Sequence, residues 1–159
     1  MKKQEKTNVM RLLEQKKIEY KMYDYTNTNA IAGDEVAKAL GENPNAVFKT
    51  LVTIGKTKQH YVFMLPVCKE LNLKKAALAV GEKNIEMIKS KELLPLTGYI
   101  HGGCSPIGMK KVLPTVIDET AKDFERIFFS GGKIGYQVEV PLKDLEKIIK
   151  YKFADITID

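Results

Sequence analysis

Along this chain the apolar positions recur with two different periods, and the switches between them outline short helices and strands. After Thr7, the residues Val9, Leu12 and Leu13 fall on one stripe of a 3.6-residue period, which predicts a capped helix to about Lys16. Ile18, Tyr20 and Met22 then alternate with Glu19, Lys21 and Tyr23, the period of a half-buried strand. A loop at 27–30 leads into a helix at 34–40 that Gly41 stops, and Asn43-Pro44-Asn45 turns the chain. Two β-rich runs follow at 47–54 and 60–67, five residues apart, so an antiparallel hairpin is the economical reading. Asn72 is placed to cap a helix at 73–80 ended by Gly81, and Ser90 to cap another that Pro95 cuts short. Beyond it, 98–101, 112–117, 126–129 and 134–140 read as strands, 142–150 as an amphipathic helix with Leu142, Leu145 and Ile148 or Ile149 inward, and 153–158 as a last strand.

Helices and strands are interspersed, but the hairpins break any regular βαβ series, so the class is α+β with a mixed or antiparallel sheet. At 159 residues one domain spanning 1–159 is expected, and no internal repeat is visible. Apolar residues at 44% and charged residues at 29% exclude a disordered or fibrous class. No apolar run approaches the roughly 20 residues of a membrane helix, and the basic start of the chain lacks the apolar core of an export signal. A cytoplasmic protein without membrane attachment is therefore expected. Cys68 and Cys104 are far apart, and His60 and His101 are the only histidines, so neither a metal nor another cofactor is called for. A net charge of +6 favours an anionic partner without specifying one.

Candidate chemistry is concentrated in three places. Strand alternation puts Lys49 on the same face as Val47 and Leu51. If that face is interior, the ammonium needs an anionic or dipolar partner, or a lowered pKa; on an edge strand its head simply reaches water. The stretch Gly102-Gly103-Cys104-Ser105-Pro106-Ile107-Gly108 lets the backbone approach a ligand, and its N–H groups could hold an oxyanion or a phosphate. It is not a P-loop, because Met109 stands where the lysine is required and Pro106 removes a donor. Ser130-Gly131-Gly132-Lys133-Ile134-Gly135 reads as a tight hairpin turn with Lys133 in reach of a phosphate, not as the GxxG of a KH domain. A Cys104–His101 nucleophile pair is disfavoured, since three residues along an extended chain point to opposite faces.

Taken in order, Tyr23-Asp24, Gly33-Asp34-Glu35-Val36, Phe48-Lys49-Thr50-Leu51, Leu73-Lys74-Lys75-Ala76, Thr97-Gly98-Tyr99, the glycine loop at 102–108 and Ser130-Gly131-Gly132-Lys133 resemble the YbaK/EbsC family, free-standing relatives of the editing domain inserted in bacterial prolyl-tRNA synthetases. The resemblance runs nearly end to end. It implies a compact α+β domain with flanking helices around a mixed, mostly antiparallel, barrel-like sheet. It also implies removal of cysteine from Cys-tRNA(Pro) and Cys-tRNA(Cys), with aminoacylated tRNA as substrate and prolyl-tRNA synthetase as a partner in a ternary complex.

By the same resemblance Lys49, Gly102 and Gly103 are the catalytic positions. Tyr23, Ala32, Thr50, Ser105, Pro106, Gly108, Ser130, Gly131, Gly132 and Lys133 are the substrate-binding ones. The implied chemistry is substrate-assisted, the cysteine thiol attacking its own ester carbonyl and leaving as a thiolactone, with plain hydrolysis as the other outcome. The sequence departs from the family at Ala32, where several relatives carry phenylalanine, and at Gln137, where some carry aspartate. Alanyl- or seryl-tRNA therefore remains open as an alternative substrate, and a non-catalytic RNA-binding or synthetase-partner module is the reading from another class.

Overall fold

A computed structural model describes residues 6–30 and 33–159. Its helices are α1 (Asn8–Gln15), α2 (Gly33–Leu40), α3 (Leu73–Val80), α4 (Ser90–Thr97) and the single turn α5 (Leu142–Leu145). Its strands are β1 (Lys21–Asp24), β2 (Phe48–Gly55), β3 (His60–Pro66), β4 (Ile85–Met87), β5 (Thr115–Asp118), β6 (Arg126–Ser130), β7 (Tyr136–Pro141) and β8 (Tyr151–Ala154).

The strands form two sheets. One is a three-stranded antiparallel sheet in the order β1-β7-β6, and the other a five-stranded sheet in the order β4-β2-β3-β5-β8. In the larger sheet β2 runs antiparallel to β3 and β4, while β5 runs parallel to both of its neighbours, β3 and β8. A single parallel bridge, Val47 to Phe128, joins the two sheets at the start of β2. The α+β class with a mixed sheet is thus the observed one, but the barrel-like sheet is two sheets that meet at one bridge, with no closed barrel among the described residues.

Burial explains why β3 is apolar throughout. Val62 and Met64 face a large core that also takes Val9, Met10 and Leu13 of α1 and Ile127, Phe129, Val138 and Val140 of the smaller sheet. Tyr61, Phe63 and Leu65 point the other way, onto Ala76 and Ala77 of α3 and onto Ile156. A strand covered on both faces loses the alternation that marks a half-exposed one. The caps of α1 and α3 follow the sequence. Thr7 accepts a hydrogen bond from the Met10 N–H, and Asn72 Oδ1 accepts from the Lys74 and Lys75 N–H groups.

Four expectations fail, each for a local reason. Pro95 does not cut α4 short: the helix runs on to Thr97 and closes when the Gly98 N–H donates to the Leu94 carbonyl. Ser90 is its first residue and Lys89 the cap position. Residues 98–101 form no strand but turn the chain, the Gly103 N–H closing on the Ile100 carbonyl. The helix expected at 142–150 stops after one turn, and the Ile148 and Ile149 N–H groups both return to the Leu145 carbonyl. That tightening redirects the chain into β8 beside β5. The short strand β4 escapes sequence reading, because three residues do not establish an alternation.

If the Asn72 cap holds the start of α3, Asn72→Ala should lower unfolding free energy by about 1 kcal/mol. Urea unfolding followed by circular dichroism checks it, an unchanged midpoint counting against the cap.

Candidate functional site

The site arises from a gap along β2. At its start β2 touches the smaller sheet through the Val47–Phe128 bridge, and at its end Thr53, Ile54 and Gly55 pair with β4. Between these points the side of β2 away from β3 has no strand alongside it among the described residues. A cavity of about 810 Å³ opens along that stretch, lined by every residue from Val47 to Val52. Such a volume lies within the ~300–1,000 Å³ typical of small-molecule sites.

Other walls come from segments distant in sequence. The first turn of α2 contributes Gly33, Asp34, Glu35 and Val36, while Ile88, Lys89, Ser90 and Leu93 come from the start of α4. The turn after α4 adds His101, Gly102 and Cys104, and the smaller sheet adds Phe129, Ser130, Tyr136 and Gln137. Cationic Lys49 and Lys89 therefore share the cavity with carboxylate-bearing Asp34 and Glu35.

The structure thus brings four of the sequence-derived positions, Lys49, Thr50, Gly102 and Ser130, onto one cavity. Lys49 is half-buried. Beside it the Thr50 hydroxyl oxygen is buried with no hydrogen-bond partner. Leaving such a group unpaired costs on the order of 1–3 kcal/mol, a cost that a bound ligand can relieve.

The remaining positions among the described residues do not line the cavity. Gly103 backs the glycine loop against the hairpin, where an added Cβ would lie 3.0 Å from the Ile134 backbone nitrogen. Ser105 is fully buried, and its Oγ accepts from the Ile107 N–H. Pro106 is buried as well, and Gly108 faces Leu12, Tyr99 and Asn8. The Tyr99 hydroxyl donates to the Ile107 carbonyl, tying the loop down. Gly131 and Gly132 form the predicted tight hairpin turn, closed by the Gly131 N–H on the Tyr136 carbonyl. Gly132, at φ 94°, passes close to Val9 of α1. Lys133 lies over the Tyr136 ring. Ala32 falls outside the described residues.

Tyr23 belongs to a separate polar cluster behind the Gln137 wall. Its hydroxyl donates to Glu139 Oε1 at 2.6 Å, which pushes its own pKa up to about 12, with burial adding to the effect. Gln137 Nε2 donates to Glu42 Oε1 at 2.9 Å, while Glu42 Oε2 and Gln137 Oε1 are both buried without a partner. Burial raises the Glu42 carboxyl to about 7, the Gln137 hydrogen bond opposing and the nearby Glu139 charge reinforcing the shift. A proton on Glu42 converts its orphaned oxygen into a donor, and an acid facing a carboxamide can satisfy both groups at once.

His101 and Cys104 both border the cavity, contrary to the opposite faces expected, because the chain turns at 98–101 where a strand was predicted. Burial pushes the Cys104 thiol up to about 12, however, so the thiolate needed for attack is scarce at neutral pH. Sequence reasoning missed the wall made by Ile88, Lys89, Ser90 and Leu93. The only trace of it was the cap signal at Ser90. No group of three or more His, Cys, Asp or Glu among the described residues is placed to hold a metal ion.

These features define a compact α+β domain with a cavity lined from both of its sheets, and the chain matches the aminoacyl-tRNA editing domain family over residues 28–148. It belongs to that family. It is 43% identical over 157 residues to EbsC of Enterococcus faecalis, provisionally named a Cys-tRNA(Pro)/Cys-tRNA(Cys) deacylase, covering 98% of this chain and 96% of that one. It is also 33% identical over 103 residues to the proline–tRNA ligase of Shouchella clausii, covering 65% of this chain and 18% of the ligase. In fold it is similar to the crystal structure of hypothetical protein APE2540, with TM-score 0.84 and 20% identity over 96% of this chain and 100% of that one. It is similar also to a provisionally described trans-editing enzyme for prolyl-tRNA synthetase, with TM-score 0.80 and 24% identity over 96% and 99% of the two chains.

The Glu42–Gln137 contact has a testable pH signature. A carboxyl raised to about 7 in the folded state binds its proton more tightly there than when unfolded near 4.5. Its contribution is full below the unfolded value and is lost as pH rises through about 7. Glu42→Gln keeps the paired geometry without the titration. Its melting temperature relative to the parent should therefore climb between about pH 5 and about pH 8, and a flat difference across that range would contradict the protonated pair.

Proposed function

We propose that this chain is a trans-acting deacylase that removes cysteine from Cys-tRNA(Pro) and from Cys-tRNA(Cys). The observation that carries this reading is the convergence of Lys49, Thr50 and Gly102 on one cavity. The similarity to EbsC across 98% of this chain supports the choice of substrate. Cysteine is close to proline in size, and a synthetase pocket discriminates weakly between near-isosteres, so a second site has to remove the error.

An aminoacyl ester already carries a reactive carbonyl, and catalysis by positioning and oxyanion stabilisation suffices. In this proposal Lys49 holds the 3′-terminal phosphate or the ester end, the Thr50 hydroxyl gains its missing partner from the substrate, and the backbone at Gly102 faces the carbonyl oxygen. The attacking group comes with the substrate. Its thiol, as thiolate, adds to the ester carbonyl carbon, and the tetrahedral intermediate collapses with cleavage of the bond to the ribose oxygen. That oxygen takes up the proton and a thiolactone leaves. The raised pKa of Cys104 agrees with a bystander thiol. Prolyl-tRNA synthetase, joined in a ternary complex in the cytoplasm, supplies the preference for tRNA(Pro).

Lys49→Ala should slow deacylation by on the order of 100-fold or more while leaving the fold intact, because lost positioning is costly and a half-exposed lysine adds little stability. Lys49→Arg should also be impaired, since a planar guanidinium does not reproduce a compact ammonium. The measurement is first-order loss of labelled Cys-tRNA(Pro), with Ala-tRNA and Ser-tRNA as comparison substrates and circular dichroism on each variant. Parental rates for Lys49→Ala would remove this mechanism.

Cys104→Ser should retain most of the activity in the same assay. A folded but inactive Cys104→Ser would instead make that thiol the nucleophile.

A further inference from the structure

Four lysines flank α4, two at each end. Lys89 caps its start and lines the cavity, and Lys91 stands exposed in its first turn. At the other end Lys110 packs its stem over Gly98 while its backbone N–H donates to the Thr97 carbonyl at 3.0 Å, and exposed Lys111 follows. Among the described residues none of these four ammonium groups has a carboxylate within 4.0 Å. The carboxylate of Glu92, on the same helix, turns back to the Lys89 N–H.

An eight-residue helix is about 12 Å long, so the two pairs are spaced along a short track that begins at the cavity mouth. The α2 wall, by contrast, carries Asp34 and Glu35. A polyanion approaching the cavity is attracted along α4 and repelled at α2, whereas a cationic α-amino group prefers the reverse.

We infer that the acceptor end of the tRNA lies along α4, its phosphates on Lys91, Lys110 and Lys111, which orients the esterified amino acid with its amino group toward the first turn of α2. The inference rests on the editing function proposed above and adds the direction from which the substrate enters. Exposed Leu94, Ile100 and Val112 lie near the lysines in sequence, and a mixed apolar and basic surface suits the sugars and unpaired bases at an RNA end. Contacts of this kind specify no sequence. They set register and orientation.

The test uses the triple variant Lys91→Gln, Lys110→Gln, Lys111→Gln, which spares every cavity-lining residue. Lys56→Gln, Lys58→Gln, Lys83→Gln serves as the control, removing equal charge at the turns beyond the far end of β2. Uncharged tRNA(Pro) is titrated against each protein over a range of salt, and Cys-tRNA(Pro) deacylation is followed up to saturating enzyme.

The α4 variant should bind tRNA roughly ten-fold or more weakly, with a log–log salt slope smaller by about 3, one for each phosphate no longer neutralised. Deacylation should then need roughly ten-fold or more enzyme to saturate, and the control variant should differ little. Equal losses in both triple variants would reduce the effect to net charge and overturn the track. An α4 variant that binds and cleaves like an active parent would overturn it too, leaving the editing function standing. Unchanged tRNA binding with lost capture of prolyl-tRNA synthetase would make the surface a protein interface and would likewise overturn it. A parent that binds tRNA with the predicted lysine dependence but deacylates nothing would sustain the surface and sink the proposed function.

Discussion

The cavity of this molecule depends on one strand changing partners. The open side of β2 is occupied by the smaller sheet at its start and by β4 at its end. Neither neighbour reaches the middle. Were the two sheets one continuous ladder, the segment from Phe48 to Val52 would be sealed by a strand and no cavity would exist. The mixed topology makes the gap sustainable. The face of β3 turned from the cavity is clamped by α3, and the edge of β3 opposite β2 is held by the parallel pair β5 and β8, so the strand beside the gap is braced from two directions.

The gap also accounts for the distribution of unsatisfied polar atoms. Among the described residues, the three buried side-chain atoms without a hydrogen-bond partner belong to Thr50, Glu42 and Gln137, the first and last of which line the cavity. Folded proteins seldom leave such atoms unpaired in their interiors. Here two lie on the cavity and the third is on Glu42, the carboxylate that Gln137 contacts, while other buried polar groups find partners within the fold. Asp118, for example, is almost completely buried yet accepts from the Ile156 and Thr120 N–H groups.

The parts legible in the sequence are those governed by neighbours close along the chain. Asn72 and Gly81 bracket α3 at the residues expected, and the β2–β3 hairpin appears where two apolar runs flank a polar turn. Lys49 could be assigned a strand face from alternation, yet whether that face met water, protein or a cavity depended on β4 and β6, which approach from elsewhere. Glu42 and Gln137 meet across 95 positions, and no periodicity signals such a pair. The glycine loop illustrates a different limit. Its residues were read as one functional unit, but the fold divides their work. Gly102 and Cys104 border the cavity, whereas Ser105 and Gly108 are absorbed in packing against Ile107, Leu12 and Tyr99. Spacing identifies a loop that approaches something closely; it does not say which of its residues approach a ligand and which approach the protein.

The contact between the glycine loop and the β6–β7 hairpin carries a consequence for how such a domain can diversify. Gly103 lies directly on the backbone of Lys133 and Ile134, and Gly132 on the side chain of Val9. The two turns are thereby packed main chain to main chain, and the second rests on the stiff, β-branched side chain of Val9, so little between them can absorb a change. Loops normally tolerate insertions because their tips touch nothing. These two do not have that freedom. Variation in the cavity wall should therefore accumulate through side-chain exchanges at positions such as Gln137 and Leu93, while the lengths of both turns stay constant. A library built to reshape this cavity would do better to randomise its strands and helix ends than its loops.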